Sequence, residues 1–102
     1  MKRKAILMHS QDDVATALTE LAAGEEIEVE LSGRRVSTVV REEIQFAHKY
    51  ALRNIAKGEP ILKYGMPIGK ALEDIQAGQW VHVHNCRSDR WGFQNDKYGI
   101  QA

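Results

Sequence analysis

The residues of this chain best suited to chemistry near neutral pH are its four histidines and one adjacent lysine. His82 and His84 stand two apart in the segment QWVHVHN, His48 precedes Lys49 in HKYAL, and His9 lies near the start. An imidazole can serve as a base, an acid or a metal ligand, and a lysine can stabilise a developing negative charge. Three of the four histidines fall between positions 47 and 85, so this stretch is predicted to hold the functional site.

His82 and His84 have the spacing of two metal ligands on one strand. Residues two apart on a strand point to the same face. Two imidazoles on one face can bind the same ion at N–metal distances of about 2.0–2.1 Å. Two histidines alone do not hold an ion. The alternative is that one histidine is hydrogen-bonded in the sheet and the other lies in solvent.

The remaining candidates each have a functional and a structural interpretation. On a strand, His48 and Lys49 would point to opposite faces, and the alternative is a core-edge histidine beside a solvated lysine. His9 and Asp12 stand at a predicted strand-to-helix junction, where backbone N–H groups attract a carboxylate. The alternatives there are a turn histidine and a plain N-cap. Arg87 can bind a carboxylate or be part of a solvated charged exit.

Length, charge and cysteine content exclude several classes of protein. A chain of 102 residues forms one domain. Its 14 Lys and Arg balance its 14 Asp and Glu, which argues against a nucleic-acid partner. No apolar stretch approaches the ~18 residues that cross a membrane. The single cysteine, Cys86, excludes an internal disulfide and fits a reducing compartment, so a cytoplasmic location is expected.

The local patterns predict a mainly β protein with one short helix (α+β). Val14, Ala17, Leu18 and Leu21 fall at helical spacing after Asp12, so a short helix is predicted there with Gly24 at its end. Strands are predicted over residues 4–9, 27–31 and 35–40, the last two joined by a turn at Ser32-Gly33.

One pattern occurs three times and predicts pseudo-symmetry. The motif Ala-Leu-x-x-Leu/Ile-x-x-Gly-x-x-Ile/Val begins at Ala17, at Ala51 and at Ala71. It describes an apolar anchor, a turn that ends at glycine, and a strand. In the first copy the turn is predicted to expand into the helix. In the other two, Asn54 and Asp74 favour capping a tight turn.

The repeat, with YGMPIG between two copies, resembles the SAF domain, a β-clip fold of short bent strands. The set HSQDDVA, HKYAL, GEPILKYGMPIGKA and GQWVHVHN resembles more closely the amino-terminal domain or small subunit of the altronate/galactarate dehydratase family, which includes the sulfolactate sulfo-lyase small subunit. Two positions depart from the family pattern. Ala47 stands where glycine is expected, which predicts a different backbone conformation because alanine resists positive φ, and Asp13 stands where asparagine is usual.

The resemblance implies a SAF domain over residues 1–86. The residues that follow, 87–102, are charged and polar with scattered aromatic residues, which predicts a tail that is mobile or docks on a partner. The resemblance also implies the small subunit or N-terminal domain of a metal-dependent hydro-lyase that eliminates water from a sugar acid, or sulfite from a sulfonated hydroxy acid. A divalent metal, Fe²⁺, and a large catalytic subunit or domain would take part, and a homo-oligomer is compatible with this. The alternative is a non-catalytic module that binds a carbohydrate or a partner. The roles that follow are catalytic for His48, Lys49 and His9, substrate-binding for Asp12 and Arg87, and metal-binding for His82 and His84.

Overall fold

The computed structural model describes residues 3–87, and this part of the chain contains short strands and no helix. The nine strands are β1 (Ala5–Ile6), β2 (Val14–Ala17), β3 (Glu26–Leu31), β4 (Arg34–Val39), β5 (Lys49–Ala51), β6 (Pro60–Lys63), β7 (Met66–Ala71), β8 (Trp80–Val81) and β9 (Cys86–Arg87). The mainly β class is confirmed, and the short, bent strands are those of a β-clip. With no helix there, no described segment can cross a bilayer as a helix.

A four-stranded antiparallel sheet, in the order β1-β2-β5-β8, lies at the centre of the fold. The other strands form the β3-β4 hairpin and a three-stranded sheet in the order β6-β7-β9. Both faces of the central sheet are covered. Ala15, Tyr50 and Trp80 pack into one apolar cluster, whereas Val14 and Ala51 belong to a second. Because alternate residues of a strand point to opposite faces, the sheet divides these two cores.

The predicted helix after Asp12 is wrong. Residues Val14–Ala17 form β2, and all four are buried. A short apolar run that is buried on both faces has no clear period, so a helical spacing can arise from it by chance. Leu18 is 41% exposed, whereas Leu21 is fully buried beyond a bend, which separates two residues that the helical pattern had placed on one face.

The predicted hairpin is confirmed. In β3 the glutamates are exposed and Ile27 and Val29 are buried, as the alternation indicates. Ser32 and Gly33 have φ of 53° and 84°, the left-handed pair that a two-residue hairpin turn requires. The first predicted strand is shorter than expected, because the chain turns where the Asp12 N–H donates to the His9 carbonyl at 3.0 Å.

The repeated unit occurs four times, and all four copies have the same turn. In each copy a backbone N–H donates to the carbonyl three residues earlier, at 2.9–3.1 Å: Glu25 to Ala22, His48 to Gln45, Glu59 to Ala56, and Gln79 to Gln76. The additional copy spans residues 40–50. Ala47 occupies its glycine position with φ of 73°, against 92°, 87° and 91° at Gly24, Gly58 and Gly78. The prediction that Ala47 marks a different backbone conformation is therefore wrong.

The four copies associate as two pairs. Isolated bridges join Leu21 to Ile44 and Ile55 to Ile75. In the second pair, Asn54 Oδ1 accepts from the Ala77 N–H at 2.9 Å and Asp74 Oδ1 accepts from the Lys57 N–H at 2.8 Å. The predicted capping of tight turns is confirmed, with the difference that each side chain caps its partner's turn. This exchange fixes the two copies against each other.

The predicted domain boundary falls within β9, which includes Arg87. The rest of the predicted tail, with its expected mobility or docking, lies outside the described residues.

Candidate functional site

His48 stands at a repeat position that has a structural task in the other three copies. There the residue is Glu25, Glu59 or Gln79, and its side-chain oxygen accepts from the N–H three residues earlier at 2.7, 2.7 and 2.6 Å. His48 instead turns its ring to β8, where its Nδ1 accepts from Trp80 Nε1–H at 3.0 Å. The extra copy of the repeat thus places an imidazole beside Trp80, the first residue of β8.

The indole of Trp80 lies against the rings of three histidines, His48, His82 and His84. The centre of its indole ring lies 5.4 Å from the ring centre of His48, 5.1 Å from that of His82 and 4.9 Å from that of His84. The Trp80 and His82 rings are stacked, with an interplanar angle of 11°. His48 and His82 are 5.3 Å apart. We call Trp80 and these three histidines the imidazole cluster.

The turn after β8 positions His82 and His84, and Asn85 holds this turn. Asn85 is 3% exposed. Its Oδ1 accepts from the His82 N–H at 2.9 Å and its Nδ2 donates to the Trp80 carbonyl at 2.7 Å. Because β8 ends at Val81, the prediction that His82 and His84 alternate along a strand is wrong. Each of the two rings instead lies against the same indole.

Burial and neighbouring charge act on Lys49 and His82. Burial lowers the pKa of Lys49 and the charge of Lys63 lowers it further, while Cys86 opposes the effect. Burial also lowers the pKa of His82, and Lys49, His48 and His84 add to this. The neutral imidazole of His82 is therefore favoured. Although His48 and Lys49 are consecutive, both lower the pKa of His82. Both are near His82 because β8, which ends directly before it, lies beside β5.

Asp12 and His9 lie at the β6–β7 hairpin instead. The Asp12 carboxylate is fully buried and accepts from the Tyr64 and Gly65 N–H groups at 2.9 and 2.8 Å. The prediction of Asp12 as an N-cap is wrong, since no helix follows, and the reason for expecting an anion there is removed with it. His9 is exposed, its Nδ1 accepts from the Gln11 N–H at 3.1 Å, and its ring lies over Gly65.

Asp13, like Asp12, binds the backbone of the β6–β7 hairpin. Its two carboxylate oxygens accept from Arg53 Nε at 2.8 Å and from the Leu62 N–H at 2.9 Å. The asparagine that is usual at this position would offer one acceptor oxygen in place of two. Arg87, the other predicted substrate contact, is exposed at the end of β9, opposite Lys70. The structure therefore brings together His48, Lys49, His82 and His84, and not His9, Asp12 or Arg87.

Three residues of the site escaped the sequence reasoning, namely Trp80, Asn85 and Glu42. Glu42 Oε2 accepts from the Trp80 N–H at 3.0 Å and so fixes the backbone that carries the indole. Trp80 had a usable signal, because it stands two residues before His82, as a same-face neighbour on a strand would. Asn85 and Glu42 had no such signal, since their partners are backbone atoms that only the fold brings near.

A groove of about 400 Å³ lies elsewhere, between β1 and β3. Residues 3, 5–7 and 28–32 line it, among them Arg3, Glu28 and Glu30. No predicted site residue contributes to this groove, so the imidazole cluster lies on a different surface.

Comparison with known proteins places this architecture in a family. The profile of the altronate/galactarate dehydratase SAF domain matches residues 3–89. The chain belongs to this SAF domain family. Altronate dehydratase of Escherichia coli is 43% identical over 95% of the chain, and that of Bacillus subtilis is 40% identical over 91%. The (2R)-sulfolactate sulfo-lyase subunit alpha of Chromohalobacter salexigens is 38% identical over 57% of the chain and 62% of its own length. This SAF domain spans about a fifth of each altronate dehydratase, 20% and 18%.

The described residues of this SAF domain do not by themselves fit a divalent metal. In residues 3–87, no three His, Cys, Asp or Glu side chains are placed to hold one ion. His82 and His84 supply two imidazoles, whereas catalytic sites of the zinc type use three protein ligands. What the cluster offers without an ion is hydrogen bonding and proton exchange at imidazole nitrogens, beside the positive charge of Lys49.

Proposed function

We propose that this SAF domain is the small part of a hydro-lyase that eliminates water from a sugar acid such as altronate. A large catalytic subunit or domain would complete the enzyme. The observation that carries the proposal is the imidazole cluster: one indole gathers three histidines, in a domain whose relatives include altronate dehydratases. Under this proposal the cluster faces a site shared with the catalytic body.

The chemistry of the reaction suits the residues of the cluster. Elimination of a β-hydroxyl group from a carboxylate needs a base for the α-proton, stabilisation of the developing enolate, and a proton for the departing hydroxyl. Lys49 supplies positive charge beside His82. His48 lies 5.3 Å from His82, ring centre to ring centre, so one substrate can touch both. We assign enolate or carboxylate stabilisation to Lys49 and substrate contact to His48.

The divalent metal that the family resemblance implies, Fe²⁺, enters the proposal for the assembled enzyme alone. His82 and His84 are the residues of this chain that would contribute ligands, with the others coming from the catalytic body. A cytoplasmic location, expected from the single cysteine, is part of the same proposal.

A chimeric enzyme tests the proposal. The segment of Escherichia coli altronate dehydratase that matches this chain is replaced by residues 1–102, and turnover is followed by carbonyl reagents that trap the 2-oxo acid formed when the enol product rearranges. We expect an active chimera in which His48→Ala or His82→Ala lowers kcat by about 10²-fold or more, the usual contribution of a positioned proton-transfer group or hydrogen-bond donor. The matched control is Gln45→Ala, because Gln45 is exposed in the same turn as His48.

Two results would contradict the proposal. A correctly folded chimera without dehydratase activity would show that this domain does not complete the site. An active chimera in which both histidine variants turn over as fast as the control would identify a non-catalytic module that only binds the partner or a carbohydrate. Water is proposed as the leaving group, and not sulfite, because the altronate dehydratases match over 95% and 91% of the chain and the sulfo-lyase subunit over 57%.

A further inference from the structure

The direction of the hydrogen bond between Trp80 and His48 determines which nitrogen of His48 carries a hydrogen. An indole nitrogen carries a hydrogen and can only donate. The partner atom, His48 Nδ1 at 3.0 Å, must therefore offer a lone pair. In a neutral imidazole one nitrogen donates and the other accepts, so the hydrogen of His48 lies on Nε2.

We propose that Trp80 is a positioning residue that holds His48 as an Nε2–H hydrogen-bond donor. Under the proposed function, on which this part of the inference rests, His48 then donates to an oxygen of the hydroxy acid and does not remove the α-proton. A proton taken up at Nε2 needs a lone pair there, which only the other tautomer has. That tautomer carries its hydrogen on Nδ1, where it would oppose the indole N–H. The same argument excludes His48 as a metal ligand through Nε2 while the Trp80 bond is present.

Both partners of this bond are fixed by backbone contacts. The Trp80 N–H is bound by Glu42 Oε2 at 3.0 Å, and the Trp80 carbonyl by Asn85 Nδ2 at 2.7 Å. The His48 N–H donates to the Gln45 carbonyl at 3.0 Å, and the His48 carbonyl accepts from the Ala17 N–H at 2.8 Å. The two rings are therefore carried by anchored segments on both sides.

The repeat supplies an independent reason to regard His48 as specialised. In the other copies the equivalent side chain accepts from its own turn. His48 gives up that contact and accepts from an indole instead. A residue that served only the turn would keep the glutamate or glutamine of the other copies. The orientation of His48 thus follows from its partner on β8 and not from the turn that carries it.

The first test uses the isolated ¹⁵N-labelled chain and needs no activity. Trans-hydrogen-bond nitrogen–nitrogen scalar coupling is measured at a pH where imidazoles are neutral. We expect a correlation between Trp80 Nε1 and His48 Nδ1, with an acceptor-type shift for Nδ1 and a protonated Nε2. A correlation placing the hydrogen on Nδ1, or no coupling between these nitrogens, would overturn the inference, whatever the outcome of the chimera experiment.

The second test compares substitutions in the chimera. His48→Gln keeps an acceptor and a donor but cannot take a proton near neutral pH, whereas His48→Ala has neither group. We expect kcat of His48→Gln to stay within about tenfold of the parent, while His48→Ala falls about 10²-fold or more because it removes a positioned hydrogen-bond donor. Trp80→Phe keeps an aromatic ring and removes the N–H, and kcat should fall about tenfold, as for one lost hydrogen bond.

The outcomes separate the two proposals. Equal losses in His48→Gln and His48→Ala would show that His48 acts as a base and would overturn the donor role. Unchanged kcat in both variants would remove His48 from the reaction and contradict the proposed function, while the tautomer measured on the isolated chain stands or falls by itself. A Trp80→Phe chain that loses thermal stability but keeps full kcat would assign Trp80 to the scaffold and overturn its positioning role.

Discussion

The repeat predicts that one substitution, glycine to alanine, has very different effects at equivalent positions. Gly58 and Gly78 both end the turn of their copy, with φ of 87° and 91°. A Cβ atom built at Gly58 meets nothing within 4 Å, whereas one at Gly78 lies 2.1 Å from the carbonyl oxygen of Val39. Gly58→Ala therefore measures backbone strain alone, and Gly78→Ala adds a collision with the backbone of β4.

The magnitudes follow from these two environments. A left-handed alanine costs about 1–2 kcal/mol, of which about 0.4–1 kcal/mol is returned because alanine restricts the unfolded chain. Gly58→Ala should thus cost about 1 kcal/mol, and Ala47 at φ 73° shows that the fold accepts this conformation. At Gly78 the backbones must separate, which adds about 1–3 kcal/mol for overpacking. Two hydrogen bonds, to Ala51 and from Arg41, are weakened as well, at about 1 kcal/mol each. Together with the backbone strain, the total is about 4–6 kcal/mol.

Thermal unfolding of the purified chain, followed by circular dichroism, measures both changes. We expect Gly58→Ala to lower Tm by about 4–8 °C, and Gly78→Ala to lower it at least threefold more or to prevent folding. Gly24→Ala is the matched control, because its Cβ also meets nothing within 4 Å. Equal midpoints for Gly58→Ala and Gly78→Ala would refute the close approach of the two backbones, and a loss of about 4 kcal/mol at Gly58 would refute the equivalence with Ala47.

Three further predictions concern the site and the core. Asn85→Ala should lower the free energy of unfolding by about 1–3 kcal/mol, because it leaves partly buried backbone groups of His82 and Trp80 without this partner; a change below about 0.5 kcal/mol in urea unfolding would contradict this. Tyr50→Phe should leave stability unchanged or raise it by about 1 kcal/mol, since the buried hydroxyl of Tyr50 has no hydrogen-bond partner among residues 3–87; a clear loss on thermal unfolding would point to a partner. Because the folded-state pKa of His82 lies below its unfolded value, the unfolded chain binds more protons on acidification. The stability that His82 contributes is present above its unfolded pKa and is lost as pH falls through the lowered folded value. His82→Gln should therefore flatten the dependence of the urea midpoint between about pH 7.5 and about pH 5.5, and an unchanged slope would contradict this.

The parts of the fold that could be predicted are those with a local cause. The β3–β4 hairpin follows from alternation in β3 and from Ser32-Gly33, which supply both a buried face and a turn. The mainly β character follows from the dense turn signals after Gly58. The helix predicted at residues 14–21 is wrong because elements distant in the sequence bury β2 on both faces. A strand buried on both faces has no alternation of apolar and polar residues that would distinguish it from a helix.

The site could be predicted in its residue types but not in its arrangement. His48, Lys49, His82 and His84 were named, whereas the fourth copy of the repeat was hidden because Ala47 replaces its glycine. Without that copy, the relation of His48 to the capping residues Glu25, Glu59 and Gln79 could not be recognised. Asp12 shows the opposite case. A carboxylate that sequence reasoning placed at a helix start is buried at a hairpin more than fifty residues away, at Tyr64 and Gly65.

The four-fold use of one turn makes this small domain tolerant of change at a single position. Three copies keep the side chain that closes their own turn, and the copy with His48 retains the same backbone hydrogen bond without it. The backbone conformation of the turn thus does not depend on the side chain at this position. A duplicated scaffold of this kind can acquire a reactive group in one copy while its siblings preserve the architecture. Positions 25, 59 and 79 then become natural places to install a second imidazole by design.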